Sequence, residues 1–292
     1  MKKDITALTE ADRIRLVVSD LDGTLLNEKK EISARALAAV AALRRHGVLF
    51  TVCTGREYAM LGHYARQLQP TAPMVCNNGG EVVCYPSGEV ITRTLLPQKE
   101  SLCFLRFCIG HGIDFCVTTP TAAFFPKGSG MTGFYEEYQT QAGREGLEAF
   151  PIHILEEPSG LKSLDVNKII IRTDLTESQK AVDFLRRELP AFETTMSSRY
   201  ILEILPRGMN KAQGLKALCR HLQIPLSQVC AVGDYDNDME LLALAGFAVA
   251  MANARDAVRE AAGYLTRSNE EDGVALLLET IVQKRGAAEK EA

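Results

Sequence analysis

The 292-residue chain contains no run of about 18 or more apolar residues, so no helix is expected to cross a bilayer. Its start, Met1 to Arg13, is polar and mixed in charge, without the apolar core of a secretory leader. Residence in the cytoplasm, away from membranes, is the expected default. Among the eight cysteines, Cys53, Cys76, Cys84, Cys103, Cys108, Cys116, Cys219 and Cys230, there is no CxxC pair, which removes the paired spacings of a zinc cluster. Most lie in apolar runs such as Val229-Cys230-Ala231-Val232 and read as reduced core thiols. Neither charge sign dominates: 33 Lys and Arg face 37 Asp and Glu, a net charge of −4. That balance gives no electrostatic case for nucleic acid, yet leaves room for a locally cationic site and an anionic substrate. The histidines His46, His63, His111, His153 and His221 are scattered and read as surface or helix-end residues. No internal repeat or low-complexity block is present.

What the chain has is an ordinary globular composition, 46% hydrophobic and 24% charged, with a length that suits two domains better than one. An apolar run, Ile14 to Val18, reads as a buried parallel strand and ends in Ser19-Asp20-Leu21-Asp22-Gly23-Thr24. In an extended segment Asp20 and Asp22 point the same way, and two like charges there call for a cation or a proton. A hard divalent ion with oxygen ligands answers that need. A strand followed by an ordinary Asp-Gly turn is the plainer alternative.

Ser33 is placed to cap a helix from Ala34 to His46, with Arg44 and Arg45 in its last turn and Gly47 just past it. Strands at Val48 to Cys53 and Pro73 to Cys76 flank a helix expected over Glu57 to Leu68. They run into Thr54-Gly55-Arg56 and Asn77-Asn78-Gly79-Gly80. Alternating strands and helices, each strand ending in small polar residues, predict a doubly wound parallel α/β sheet. The pattern then changes. A hairpin is expected around Tyr85-Pro86-Ser87-Gly88, a helix over Gln98 to His111 and a strand over Ile113 to Thr118. Irregular chain is expected from Thr119 to Pro158, then a strand at Asn167 to Arg172 and a helix at Glu177 to Leu189. Phe192 to Ser197 and Tyr200 to Leu205 read as an antiparallel pair. This is an inserted α+β domain. The first pattern resumes with a helix from Lys211 to Leu222 and a strand from Val229 to Val232 that ends in Gly233-Asp234-Tyr235-Asp236-Asn237-Asp238. A last helix is expected over Gly273 to Lys284, followed by a charged, fraying tail.

Four polar clusters thus sit at strand or helix ends: Asp20/Asp22, Thr54/Gly55/Arg56, Lys211, and Asp234/Asn237/Asp238. Such ends converge on one crevice in a doubly wound sheet. Together they supply what phosphoryl transfer needs: a carboxylate nucleophile, a metal that neutralises oxygens, and hydroxyl, amide and ammonium groups for the rest. The bland alternatives are a stacking or paired Arg56, a solvated Lys211 and a capping Thr24. Asp234, Asp236 and Asp238 have the opening spacing of an EF-hand loop, but Met239 and Ala245 stand where its Gly and Glu belong.

These motifs, in this order and spanning nearly the whole chain, resemble the haloacid dehalogenase-like phosphatase superfamily, and within it the Cof-type subfamily with a large inserted cap. The resemblance implies a Rossmann-like core over 1–83 and 205–292, a specificity cap over 84–204 that closes on the site, and Mg2+ as cofactor. It implies that Asp20 attacks phosphorus and ligates the ion. Asp22 would ligate through its backbone carbonyl, protonate the leaving alcohol and then activate water. Thr54, Gly55, Arg56 and Lys211 would bind phosphate or substrate, Asn237 the phosphate side of the substrate, and Asp234 the metal. Asp238 would orient Lys211 or a metal-bound water. Tyr235 departs from the family's small residue at that position. Phe124, Phe125, Lys127 and Tyr135 are cap candidates for specificity, packing being the alternative for the aromatics.

The expected function is hydrolysis of small phosphorylated metabolites, such as sugar phosphates or phosphorylated cofactors like FMN or pyridoxal phosphate, through an aspartyl-phosphate. A phosphomutase and a phospho-accepting signalling module are the alternatives, the latter disfavoured by Asp22 and by the insert. The expected partner is the small-molecule substrate alone, with the chain a monomer or weak homodimer.

Overall fold

The computed structural model describes residues 3–156, 165–172 and 176–291. The chain opens with a short exposed strand, β1 (Lys3–Asp4), and then the fully buried β2 (Leu16–Ser19). Helix α1 (Ala34–Arg45) follows, with the Ser33 side chain accepting from the Ala36 N–H as its cap. Ala36, Ala39, Val40 and Leu43, at helical spacing, form its buried stripe. Next come β3 (Leu49–Val52), α2 (Gly62–Leu68), β4 (Met74–Cys76), β5 (Glu81–Val83) and β6 (Val90–Arg93). The intervening region contributes α3 (Gln98–Gly110), β7 (Phe115–Thr118), β8 (Ala123–Pro126), α4 (Gly133–Glu145), β9 (Ile152–Leu155), β10 (Lys168–Arg172), α5 (Thr176–Glu188), β11 (Phe192–Ser198) and β12 (Ile201–Pro206). The chain closes with α6 (Lys211–Leu222), β13 (Val229–Gly233), α7 (Met239–Leu244), β14 (Phe247–Ala250), α8 (Asp256–Ala261), β15 (Tyr264–Leu265) and α9 (Gly273–Glu291).

The chain divides into two compact units. The first comprises residues 1–55, 64–92 and 210–292, the second 56–63 and 93–209. The first contains a six-stranded sheet in the order β1-β15-β14-β13-β2-β3, every pair parallel. The expected doubly wound sheet is therefore present. β2 is central, with β3 on one side and β13 on the other, so the strand order reverses at β2. All of Leu16, Val17, Val18, Val229, Cys230, Ala231 and Val232 are fully buried, as a sheet covered on both faces requires.

The second unit holds a sheet in the order β11-β12-β10-β7-β8-β9, antiparallel except for β8 with β9. Phe115, Val117, Ile169 and Ile171 face one way and pack with Phe104 and Leu105 of α3 and Ala181 and Leu185 of α5. Cys116, Ile170 and Phe125 face the other way and pack with Tyr135, Tyr138 and Ala142 of α4 and with Met60. Residues 56–63 belong here by their contacts. The Ala59 carbonyl accepts from Tyr138 Oη at 2.6 Å, Met60 is fully buried, and His63 Nδ1 lies 2.6 Å from Glu145 Oε2.

Three expectations are corrected. The helix placed over Glu57 to Leu68 is broken into a 3-10 turn, Tyr58–Met60, and α2. Gly62 is a weak helix former, and Met60 is drawn into the second unit's core. The stretch read as irregular from Thr119 to Pro158 contains β8, α4 and β9; residues 157 and 158 lie outside the described residues. The last helix continues past Lys284 to Glu291. Arg285 Nη1 donates to the carbonyls of Asp12, at 2.8 Å, and Ile14, at 3.1 Å, which ties down a tail expected to fray.

Candidate active site

The parallel register brings three strand ends level. Ser19 stands opposite Val52 of β3 on one side and Val232 of β13 on the other. The residues that follow, Asp20, Cys53-Thr54 and Gly233-Asp234, therefore leave the sheet at one edge. The Asp20 N–H still donates to the Val232 carbonyl at 2.9 Å, and the Cys53 N–H to the Ser19 carbonyl at 2.8 Å. Asp20 is thus carried on a backbone that the ladder holds on both sides.

Lys211 is the first residue of α6, where Asn210 caps the helix by accepting from the Gln213 N–H at 3.1 Å. Its side chain is completely buried, and its ammonium donates to Asp20 Oδ1 and to Asp238 Oδ1, both at 2.6 Å. The other oxygen of Asp238 accepts from the N–H groups of Asp234, at 2.9 Å, and Tyr235, at 3.1 Å. Asp238 therefore orients Lys211 and shapes the Asp234 turn. Two glycines make this arrangement possible. Gly79, at φ +93°, faces the Asn210 carbonyl so closely that a side chain would collide with it, a Cβ there lying 2.1 Å from the oxygen. Gly23, at φ +80°, leaves space that Asp234 fills, since a Cβ there would lie 2.5 Å from Asp234 Oδ2.

Asp234 accepts from Thr24 Oγ1 at 2.6 Å. The Thr24 hydroxyl thus serves a carboxylate. Asp22 is more exposed and accepts from Lys30 Nζ at 3.0 Å. Thr54 is buried, its N–H donating to the Val75 carbonyl at 2.9 Å and its carbonyl accepting from the Asn78 N–H at 3.0 Å. Asn237 Nδ2 donates to Asn78 Oδ1 at 3.0 Å. Asn78 and Lys30 are the partners that residue-by-residue reading missed. The signal for Asn78 was its place in Asn77-Asn78-Gly79: both asparagines adopt positive φ, which asparagine tolerates better than most residues. No comparable signal marks Lys30.

Electrostatics follow from burial. Burial pushes the Asp20 carboxyl well above the usual carboxylate range, Lys211 pulls it back, and Asp238 and Asp234 push it up again. Burial likewise raises Asp234 to about 6, against the lowering effect of the Thr24 hydrogen bond. Burial alone would lower Lys211, but Asp20 and Asp238 outweigh it and hold the ammonium above ordinary lysine. Carboxylate oxygens of Asp20, Asp234 and Asp238 lie within 4.8 Å of one another. Three carboxylates against one ammonium leave an excess of negative charge, and Asp238 is already committed to Lys211 and the backbone. Asp20 and Asp234 therefore fit a hard divalent ion with oxygen ligands.

In the second unit, the Arg56 guanidinium lies 5.3 Å over the Phe134 ring, and Gly55 ends the stretch of first-unit chain just before it. Phe125 and Tyr135 are buried core residues packed edge-to-face, so neither is open to a substrate. Phe124 stacks on His153 at 4.9 Å, and Lys127 is exposed just past β8. Tyr235 carries the Arg255 guanidinium on its ring, and Arg255 also pairs with Asp236.

A parallel sheet with its strand order reversed at β2, and a carboxylate–ammonium centre outside that reversal, define an α/β enzyme that works at its strand ends. The chain belongs to the haloacid dehalogenase-like hydrolase family, whose model matches residues 17–278. It is 30% identical to the Bacillus subtilis (strain 168) 5-amino-6-(5-phospho-D-ribitylamino)uracil phosphatase YitU, over 90% of this chain and 96% of that protein. It is 26% identical to YwtE of the same organism, a phosphatase of the same name, over 92% of this chain and 98% of that protein. A solved haloacid dehalogenase-like hydrolase from Bacteroides thetaiotaomicron superposes with a TM-score of 0.79 at 26% identity, over 92% of this chain and 99% of that one. No helix among the described residues is long and apolar enough to cross a membrane.

Proposed function

We propose that this chain is a Mg2+-dependent phosphohydrolase of small phosphorylated metabolites, working through an aspartyl-phosphate. The observation that carries the reading is Asp20, buried at the end of β2, held by Lys211 at 2.6 Å and clustered with Asp234. The Asp20 oxygen that Lys211 does not hold attacks phosphorus as the ester P–O bond breaks. Asp22 gives its proton to the departing alkoxide. It then takes a proton from the water that attacks the aspartyl-phosphate, which frees phosphate and restores Asp20. Thr54, Gly55 and Lys211 hold phosphate oxygens, and Asn237 is positioned on Asn78 to do the same. Asp20, Asp234 and the Asp22 carbonyl would hold Mg2+, whose contribution is to neutralise the attacking carboxylate and the phosphate oxygens together.

The second unit, in this reading, is the specificity domain. Primary phosphate esters of sugars and of cofactors are the substrate class, and the phosphoribitylaminouracil named for YitU and YwtE is the first compound to try. The test is release of inorganic phosphate from a panel of such esters with Mg2+, for wild type and Asp20→Asn in parallel. Turnover by wild type and a loss of roughly 10⁴-fold or more in Asp20→Asn is the expected result. Equal activity in the two proteins sinks the nucleophile assignment.

A further inference from the structure

The chain passes from the first unit to the second between Gly55 and Arg56, and returns to the first between Met209 and Asn210. Both crossings lie beside residues assigned above to phosphate: Thr54 and Gly55 immediately before the first, Lys211 just after the second. Inside the second unit, one buried side chain reaches toward both stretches. Lys168 of β10 is almost completely buried, and its Nζ lies 3.3 Å from Glu57 Oε1 and donates to Glu203 Oε2 at 3.2 Å. Glu57 is three residues past Thr54, and Glu203 lies on β12, whose chain continues to Lys211.

Lys168 shares its sheet face with Cys116 and Ile170, both packed in apolar surroundings under α4. Two carboxylates and one ammonium removed from water are costly, and an apolar trio of the same volume is often as stable or more so. What such a triad supplies is specific geometry, because an ammonium fixes direction and distance for both partners while an apolar contact does not. The side chains that hold 56–63 beyond Glu57, from Ala59 to His63, show that this whole segment is seated in the second unit.

We propose that Lys168 is a positioning residue for phosphate binding: through Glu57 it fixes the segment that continues from Thr54 and Gly55, and through Glu203 the strand that leads to Lys211. The inference rests on the phosphate-binding reading of those three residues. It assigns to a charge cluster within the specificity unit a part in holding the phosphoryl group common to every substrate.

The test compares wild type with Glu57→Gln, Lys168→Met, Lys168→Arg and Phe104→Leu, the last a core change on the opposite sheet face. The inhibition constant for inorganic phosphate is measured beside KM, kcat and the thermal midpoint, at a temperature where each variant is folded. Glu57→Gln and Lys168→Met are expected to weaken phosphate by about tenfold and to raise KM in step, with kcat changed less than KM. Lys168→Arg, whose guanidinium can donate to both carboxylates, is expected to recover most of that loss. Phe104→Leu is expected to lower the midpoint and leave the phosphate constant within about twofold. Should Lys168→Met fail to fold, Glu57→Gln alone decides. Wild-type phosphate affinity in Glu57→Gln overturns the inference, as does an equal loss in Phe104→Leu. A wild type that neither hydrolyses esters nor binds phosphate overturns the underlying reading, and this inference with it.

Discussion

Each unit contains a buried lysine between two carboxylates, and the two centres differ in what is left over. Lys211 meets Asp20 and Asp238 at 2.6 Å, and a third carboxylate, Asp234, stands in the same cluster, held by the neutral Thr24 hydroxyl. Lys168 meets Glu57 and Glu203 at 3.3 and 3.2 Å, with no third carboxylate beside them among the described residues. One centre sits where the strands of a parallel sheet end; the other sits in an antiparallel sheet, at the first residue of β10 and opposite the last residue of β7. A buried ion pair by itself therefore does not mark a reactive site. Surplus charge and placement at a reversal of strand order do.

The sharpest way to break that comparison is to remove each ammonium in turn. Lys211→Met and Lys168→Met should each cost about 3–5 kcal/mol in metal-free protein, since each strands buried carboxylates. Millimolar Mg2+ should recover part of the loss in Lys211→Met and none in Lys168→Met. Equal recovery, read from thermal midpoints, would mean that the two centres are not distinguished by a cation site.

A smaller effect concerns pH. The Asp234 pKa in the folded protein, about 6, stands above its ordinary 3.8. Its protonation therefore stabilises the metal-free fold fully below about pH 4, and that contribution, on the order of 3 kcal/mol, is lost as pH rises through about 6. Divalent ions bind the ionised form and release a proton. The rise in midpoint on adding Mg2+ should thus be larger at pH 7.5 than at pH 5, and EDTA should reverse it. A rise that is independent of pH would remove Asp234 from the ion's ligands.

The smallest expected effect is at Thr24. Thr24→Val deletes the hydroxyl that lowers the Asp234 pKa and should cost about 1 kcal/mol, with weaker Mg2+ affinity and the Asp234 pKa moved further up. Titration calorimetry reads both. An unchanged affinity would make this hydrogen bond a matter of packing alone.

Much of the first centre was legible because its grammar is local. Apolar runs that stop at Asp20, Thr54 and Asp234 announce strand ends, and a parallel sheet forces those ends together. Lys211 was legible as one of the converging element ends, though a lone lysine at a helix start, read by itself, is solvated, and its particular role came through the resemblance. The second centre was not legible at all. Glu57 reads as a helix residue and Lys168 as a strand residue, and no pattern in either stretch reveals that they meet across more than a hundred residues of chain. Helix α4 was missed for a different reason. Tyr135, Tyr138 and Ala142 do have helical spacing, but Gly133 and Gly143 within the same stretch, and a Gly- and Pro-rich approach to it, weigh toward a loop. Arg56, grouped in sequence with the phosphate-binding residues, stacks on Phe134 because the chain has already entered the second unit.

That entry point has a bearing on protein engineering. The obvious module to exchange between relatives is the continuous insert, cut once on each side. In this molecule such a graft would arrive without residues 56–63, leaving the donor's counterparts of Lys168, Tyr138 and Glu145 to face a recipient's foreign Glu57, Ala59 and His63. A chimera meant to import a new specificity has to carry two pieces of gene, the long insert and the short stretch after Gly55, as one inheritance.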